Sequence, residues 1–288
     1  MFKIMKIAIV ADSIACPTEE QQEKYQFEIV PVNVLFEGKV YRDGIDLTAA
    51  QAYQFLDKNP EDWATSAPSP GDFLAAYKRV VKKGSKKILC LTLSQKISAT
   101  YNSARMAKEM AKEELPDVKI EVIDTETIVG AETLLALAAA KEIEKGKNLD
   151  ETIQTVENLK KKVNIFIVLE TIRYVYRSGR IPEIASKIGA ILPLKPILTV
   201  SEGRVSFAGA AVSKQKSIEK VLKILKKSWD ENLAEIGIMH ADCLREAEEL
   251  SKKINQLFPQ AQVFISECSP IIGYATGRGS LLIAFFGK

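Results

Sequence analysis

Apolar and polar positions alternate along this chain in two rhythms. Short apolar runs that close on small hydroxyl or acidic residues, KIAIVADS, FEIVPVNVLF, KKILCLTLS and VKIEVIDT, predict buried strands, three of them ending at Ser13, Ser94 and Thr125. Between them the apolar residues recur at helical spacing, and several of these segments carry their own start signal. Thr48 with Gln51 three places on makes a capping box; Ser69, Pro70 and Asp72 open FLAAYKRVVKK, which Gly84 stops; Ser98 opens YNSARMAKEMAKEEL, which Pro116 closes. Gly38 followed by KVYRDG predicts a turn and a short extended return, and GAETLLALAAAKEIEKG is a further helix. Strands separated by helices imply right-handed crossovers and a mostly parallel sheet covered on both faces, an α/β, Rossmann-like architecture.

Around residues 146–164 the pattern changes. The charged amphipathic segment GKNLDETIQTVENLKKKV leads into IFIVLE, and KPILTVSEGRVSFAGAAV reads as two antiparallel strands joined at Ser201, Glu202 and Gly203. Helix and strand then alternate to the end. The expected organisation is a Rossmann-like α/β domain over residues 1–160 and a smaller α+β domain with a mixed or antiparallel sheet over 161–288. GYATGRG is read as a tight turn between two strands, beside a ligand or a domain interface.

Composition narrows the function classes. The 288 residues are 47% hydrophobic and 27% charged, ordinary for a globular protein, and 40 Lys and Arg against 37 Asp and Glu leave a net charge of +3 with the signs interspersed. Nothing in that balance points to nucleic acid, and no apolar run is long enough to span a bilayer, so a cytoplasmic protein is expected. The absence of a spare apolar helix face points to a monomer. Cys16, Cys90, Cys243 and Cys268 lie far apart without a Cys-x-x-Cys pair, which suggests reduced thiols instead of a zinc site or disulfides. The single histidine, His240, ends a strand-like run and reads as structural. Walker, nucleophile-elbow and dinucleotide-binding motifs are absent, and no carboxylate cluster suggests a metal.

What is present is a set of small hydroxyls where the predicted strands end. Ser13, Ser94 and Thr125 are joined on loop-to-helix junctions by Thr65, Ser66, Ser69 and Ser98. Ligands of open α/β sheets bind at those ends, and helix N-termini there favour an anionic headgroup. Taken singly, Ser69 and Ser98 are equally well explained as N-caps worth about 1 kcal/mol each, and Thr65 as a loop residue. No base stands in these motifs to activate a hydroxyl, so binding without turnover is the economical reading.

Read in order, ATSAPSPGDF, LTLSQKISATYNSA, VIDTETIVGAE, YRSGRIP and IGAILPLKPIL, with VADS and YRDGIDLT before them, resemble the successive signature segments of the DegV family over essentially the whole chain. The resemblance implies a two-domain carrier that buries a long-chain fatty acid such as palmitate in an apolar tunnel. Its carboxyl group would be held by Thr65 and Ser98, with Ser94, Ser66 and Thr125 behind them. It further implies no cofactor, no catalytic machinery in the carrier itself, and hand-over of the bound acid to an ATP-dependent fatty acid kinase. Arg180 is the residue expected to face that kinase, with Arg173 and Arg177 adding positive charge. The competing reading is a phosphotransferase or hydrolase on the same scaffold. This chain departs from the family pattern at Ala99, where glycine is usual, at Gln95, where a second serine is common, and at Ala275 and Arg278, which replace a histidine and a proline.

Overall fold

The first apolar run becomes β1 (Ile7–Asp12), buried along its length and interior to a four-stranded parallel sheet of order β2-β1-β6-β7. Its companions are β2 (Glu28–Val30), β6 (Lys87–Thr92) and β7 (Lys119–Asp124). The computed structural model describes residues 7–59, 62–181 and 193–288. Residues 1–6 of the opening segment, Pro182 and residues 188–192 of the late apolar motif therefore lie outside the described residues. A short 3-10 turn (Ser13–Ala15) follows β1, and α1 (Glu19–Tyr25) starts from a capping box made by Thr18 and Gln21.

FEIVPVNVLF, expected as one strand, is two. Pro31 has no N–H to offer a ladder, and the chain leaves the parallel sheet after β2 to form β3 (Asn33–Phe36) in a separate antiparallel sheet of order β4-β3-β5. There β4 (Lys39–Arg42) is the extended return after Gly38, and β5 (Ala64–Ser66) comes after α2 (Ala49–Lys58), which carries the expected Thr48–Gln51 capping box. The small sheet is tied to the end of β1 by the Ser13 hydroxyl, which donates to Asp43 at 2.6 Å and accepts from the Val32 N–H at 3.1 Å.

On one face of the parallel sheet, α3 (Pro70–Lys82) and α4 (Thr100–Glu114) bury Phe73, Tyr77, Ala104 and Ala107 against β1 and β6. The other face is covered by α5 (Val129–Glu144) and α6 (Leu149–Lys160). α5 has no polar stripe over most of its length because it is covered on both sides. Ala136 and Ala140 meet Ile9 and Leu89 of the parallel sheet, while Leu134 and Leu135 pack with Ile165 and Leu282 of a second sheet. That second sheet has the order β10-β9-β8-β13-β11-β12, comprising β8 (Val163–Val168), β9 (Lys195–Ser201), β10 (Arg204–Ala211), β11 (Glu235–His240), β12 (Gln262–Glu267) and β13 (Leu281–Phe286). Its pairings are antiparallel apart from β11 with β12. Its outer face is buried under α8 (Lys214–Ser228) and α9 (Leu244–Leu257), while α7 (Arg173–Arg177) and α10 (Pro270–Thr276) pack on each other and α10 packs on α2. The close approach of α5 to the second sheet needs a glycine: a Cβ on Gly130 would overlap the Met239 side chain of β11.

The GYATGRG segment differs from its expected turn. Ser269 caps and Pro270 starts α10, so residues through Thr276 are helical and the chain turns only from Gly277 onward. Among the described residues no helix is long and apolar enough to cross a membrane, and no group of three or more His, Cys, Asp or Glu is placed to hold a metal ion.

Candidate functional site

Leu198 of β9, Ile167 of β8 and Leu282 of β13 are direct cross-strand partners, so they stand in one row on the inner face of the second sheet. That row floors a cavity of about 320 Å³, near the lower end of the volumes usual for small-molecule sites. Ile14 and Leu93, which follow β1 and β6, line one side, and Ile271, Ile272 and Tyr274 of α10 line another. The three sheets thus converge on one largely apolar space.

Its polar residues sort by what they already bond. Thr276 donates to the Ile272 carbonyl and Ser178 to the Val175 carbonyl, each within its own helical turn. Thr65, Ser66, Ser98 and Arg180 are left, from β5, the loop before α4 and the chain after α7. The Arg180 guanidinium donates one bond to the Ser178 carbonyl at 2.7 Å and another to Thr65 Oγ1 at 3.2 Å. Thr65 accepts from Arg180 and so keeps its own O–H as a donor. Ser98 Oγ accepts from the Thr100 N–H at 3.3 Å and shares a bond with Thr100 Oγ1 at 2.8 Å. Ser98 therefore caps from one place earlier than expected: Ala99 is the N-cap, without a side-chain bond of its own, and α4 starts at Thr100. Hydroxyl donors beside a cation, with the positive end of α4 at the rim, make this end of the cavity suited to an anion and the rest to a hydrocarbon.

Among the buried acids, Asp12 and Asp43 fix chain segments by hydrogen bonds. Asp12, at the end of β1, accepts from the Ile14 N–H at 3.0 Å and the Leu93 N–H at 2.9 Å, so one carboxyl group fixes two wall residues. Burial pushes it up to about 7, the two N–H bonds opposing that shift. Burial likewise pushes Asp43 up to about 7, against the Ser13 hydrogen bond. Glu132, on the first turn of α5, is fully buried, and among the described residues neither of its carboxyl oxygens has a hydrogen-bond partner. Desolvation, with Asp12 and Asp124 nearby, holds it well above the usual carboxylate range.

Of the other residues singled out in the sequence, Ala99 and Ala275 line the cavity and the rest fall outside its wall. Ser94 is fully buried and supports the Ser98 loop from behind. Its hydroxyl donates to the Gly203 carbonyl at 2.7 Å, while its own carbonyl accepts from the Ser98 N–H at 3.1 Å. Thr125 donates to the Thr92 carbonyl at 2.8 Å, joining the ends of β6 and β7, and Ser69 caps α3. Arg173 is exposed, whereas the Arg177 guanidinium stacks over the rings of Tyr174 and Tyr274. Ala275 lines the cavity, and Arg278 pairs with Asp57 at 2.9 Å and Asp242 at 3.4 Å, over the Tyr53 ring. His240 is buried, which lowers its pKa, and does not line the cavity. Sequence reasoning missed the apolar floor and the Arg180–Thr65 contact.

The family model described as "Uncharacterised protein, DegV family" matches residues 6–288. A DegV domain-containing protein of Clostridium perfringens is 30% identical over 282 residues, covering 98% of this chain and 99% of that protein. Among solved structures, DegV of Bacillus subtilis, described as a fatty acid binding protein, is 27% identical with a TM-score of 0.87, covering 99% of this chain and 100% of that one. A stearic acid-binding protein of Eubacterium ventriosum is 26% identical, also with a TM-score of 0.87, covering 97% of this chain and 98% of that one.

Proposed function

The chain belongs to the DegV family, and from that premise we propose that it is a cytoplasmic carrier that holds a long-chain fatty acid in the cavity and presents its carboxyl end to an ATP-dependent fatty acid kinase. The carboxylate lies between the hydroxyls of Thr65 and Ser98, within reach of the Arg180 guanidinium, and the acyl chain runs over the row Leu198, Ile167 and Leu282. In this reading residues 1–160 bring the two hydroxyls, and residues 161–288 close over the chain as a second domain. Arg180 serves twice, touching the headgroup through Thr65 and facing the partner with its exposed side.

The observation that carries the reading is the convergence of two donor hydroxyls and an arginine at one end of an otherwise apolar cavity. Related chains described as fatty acid binding support it. The arginine also bears on the missing histidine. Ala275 brings no titrating group to the wall, and the cation beside Thr65 is the Arg180 guanidinium.

Removing either hydroxyl tests the headgroup assignment. Thr65→Val and Ser98→Ala each leave a buried carboxylate oxygen short of a donor, which costs about 1–3 kcal/mol, roughly a 5- to 150-fold loss of palmitate affinity. Ser98→Ala also deletes the acceptor of the Thr100 N–H, so its Tm falls by a few degrees. Isothermal titration with palmitate measures the first effect and thermal denaturation the second. Wild-type affinity in both variants would sink the assignment.

A further inference from the structure

Ser98 Oγ accepts from the Thr100 N–H at 3.3 Å and shares a second hydrogen bond with Thr100 Oγ1 at 2.8 Å. Burial decides which of the two oxygens donates in that second bond. Thr100 is fully buried, and among the described residues Ser98 is the only hydrogen-bond partner of its hydroxyl. Were Ser98 the donor, the Thr100 proton would be sealed away without an acceptor, whereas Ser98 lines the cavity and can send its own proton there. Thr100 therefore donates twice to Ser98, through its N–H and its O–H. A serine oxygen has two lone pairs and one proton, so both acceptor positions are taken and only the donor is left for a ligand.

The Ser98 backbone is held in place behind this pair. Its N–H and that of Ile97 both donate to the Ser94 carbonyl, at 3.1 and 3.0 Å, and the Ser94 hydroxyl donates to the Gly203 carbonyl at 2.7 Å. The turn between β9 and β10 has Glu202 at φ +50° and Gly203 at φ +75°, the left-handed pair that a two-residue hairpin requires. A Cβ on Gly203 would meet Ser94 Oγ at 2.6 Å, so the turn is pressed onto the loop that carries Ser98.

Thr65 reaches the same polarity by a different route. A guanidinium can only donate, so the bond from Arg180 Nη2 at 3.2 Å makes Thr65 Oγ1 an acceptor there and leaves the Thr65 O–H for the cavity. Two hydroxyls that meet a ligand as donors match a head whose oxygens only accept, as those of an ionised carboxylate do. A primary amide has the same shape and a different polarity. Its NH2 needs an acceptor, and reaching a Ser98 lone pair means displacing one of the two Thr100 donors and leaving it buried and unmet. We infer that Thr100 is a specificity-determining positioning residue: by donating twice to Ser98 it turns a hydroxyl able to read either polarity into a donor-only contact, and so directs the site to ionised acids over single-chain lipids with an uncharged donor head, primary amides above all. The inference rests on the acyl-chain reading above and adds to it the residue that rejects the wrong head.

Competition against labelled palmitate on the full chain at pH 7.5 tests it, with dodecanoate and dodecanamide as probes matched in length. The wild type should prefer the acid by about a hundredfold or more, since the amide lacks the charge and leaves donors facing donors. Thr100→Val keeps the branched shape and removes the hydroxyl, which frees a lone pair on Ser98. The preference should then fall by about fivefold or more, through tighter binding of the amide as well as weaker binding of the acid. Thr100→Ala should show the same fall, which keeps the test open if the valine variant does not fold. Thr100→Ser restores the donor and should return the preference to within about twofold of wild type. A preference left unchanged by both Thr100→Val and Thr100→Ala, whether the two affinities hold or fall together, would overturn the assignment, because a merely structural threonine acts on both probes alike. A wild type that binds neither probe and no palmitate contradicts the acyl-chain reading itself.

Discussion

Palmitate is expected to bind at least a thousandfold more tightly than octanoate. Each methylene moved from water into an apolar site is worth about 0.8 kcal/mol, so eight more of them offer up to roughly 6 kcal/mol, and about 1.4 kcal/mol is a factor of ten. The full gain is an upper limit because ordering a longer chain costs entropy. The gain should end where the cavity is filled, and Leu198→Phe or Leu282→Phe, each adding volume to the floor row, should move that end point to a shorter chain. Titrating saturated acids from C8 to C20 gives the curve. A flat response to length, with octanoate competing as well as palmitate, would reduce the site to a shallow anion pocket.

The buried acids give the second large effect. Asp12, Asp43 and Glu132 are all raised by burial, so between about pH 4 and 7 the folded chain keeps protons on Asp12 and Asp43 that the unfolded chain has already released, and Glu132 acts in the same direction. Stability from these groups is therefore full below about pH 4 and declines as pH rises through about 7. A group ionised only in the unfolded chain removes about 1.4 kcal/mol per pH unit. Glu132 is the sharpest probe, since among the described residues its carboxyl oxygens have no hydrogen bonds to lose. Glu132→Gln keeps the shape and cannot ionise. It should raise Tm at pH 7.5 and have a smaller effect at pH 5, where the unfolded chain has released less of that proton. A Tm offset that is the same at both pH values, or a loss at pH 7.5, would mean that Glu132 has a partner when ionised.

The strands were legible because a parallel sheet covered on both faces needs unbroken apolar runs, and the helices because Thr48, Ser69 and Gly84 punctuate them. FEIVPVNVLF misled because its apolar content continues through Pro31, and only the missing N–H marks the change of sheet. The site was less legible. Ser98 does cap-like work on the Thr100 N–H and also lines the cavity, so its residue type alone could not separate the two roles. Leu198, Ile167 and Leu282 could not be told from ordinary core, since neighbours such as Phe166 and Leu281 are buried as well, on the opposite face. Which face looks into a cavity depends on what packs above it, and local sequence does not encode that. The Arg180–Thr65 bond joins residues 115 positions apart, so it leaves no local pattern.

Native mass spectrometry of the purified protein, before and after incubation with palmitate, tests the central claim most directly. The predicted result is one fatty acid per chain, retained under gentle ionisation and exchangeable for palmitate at a one-to-one ratio. A protein that stays free of lipid after incubation, or that carries a nucleotide in its place, would contradict the account.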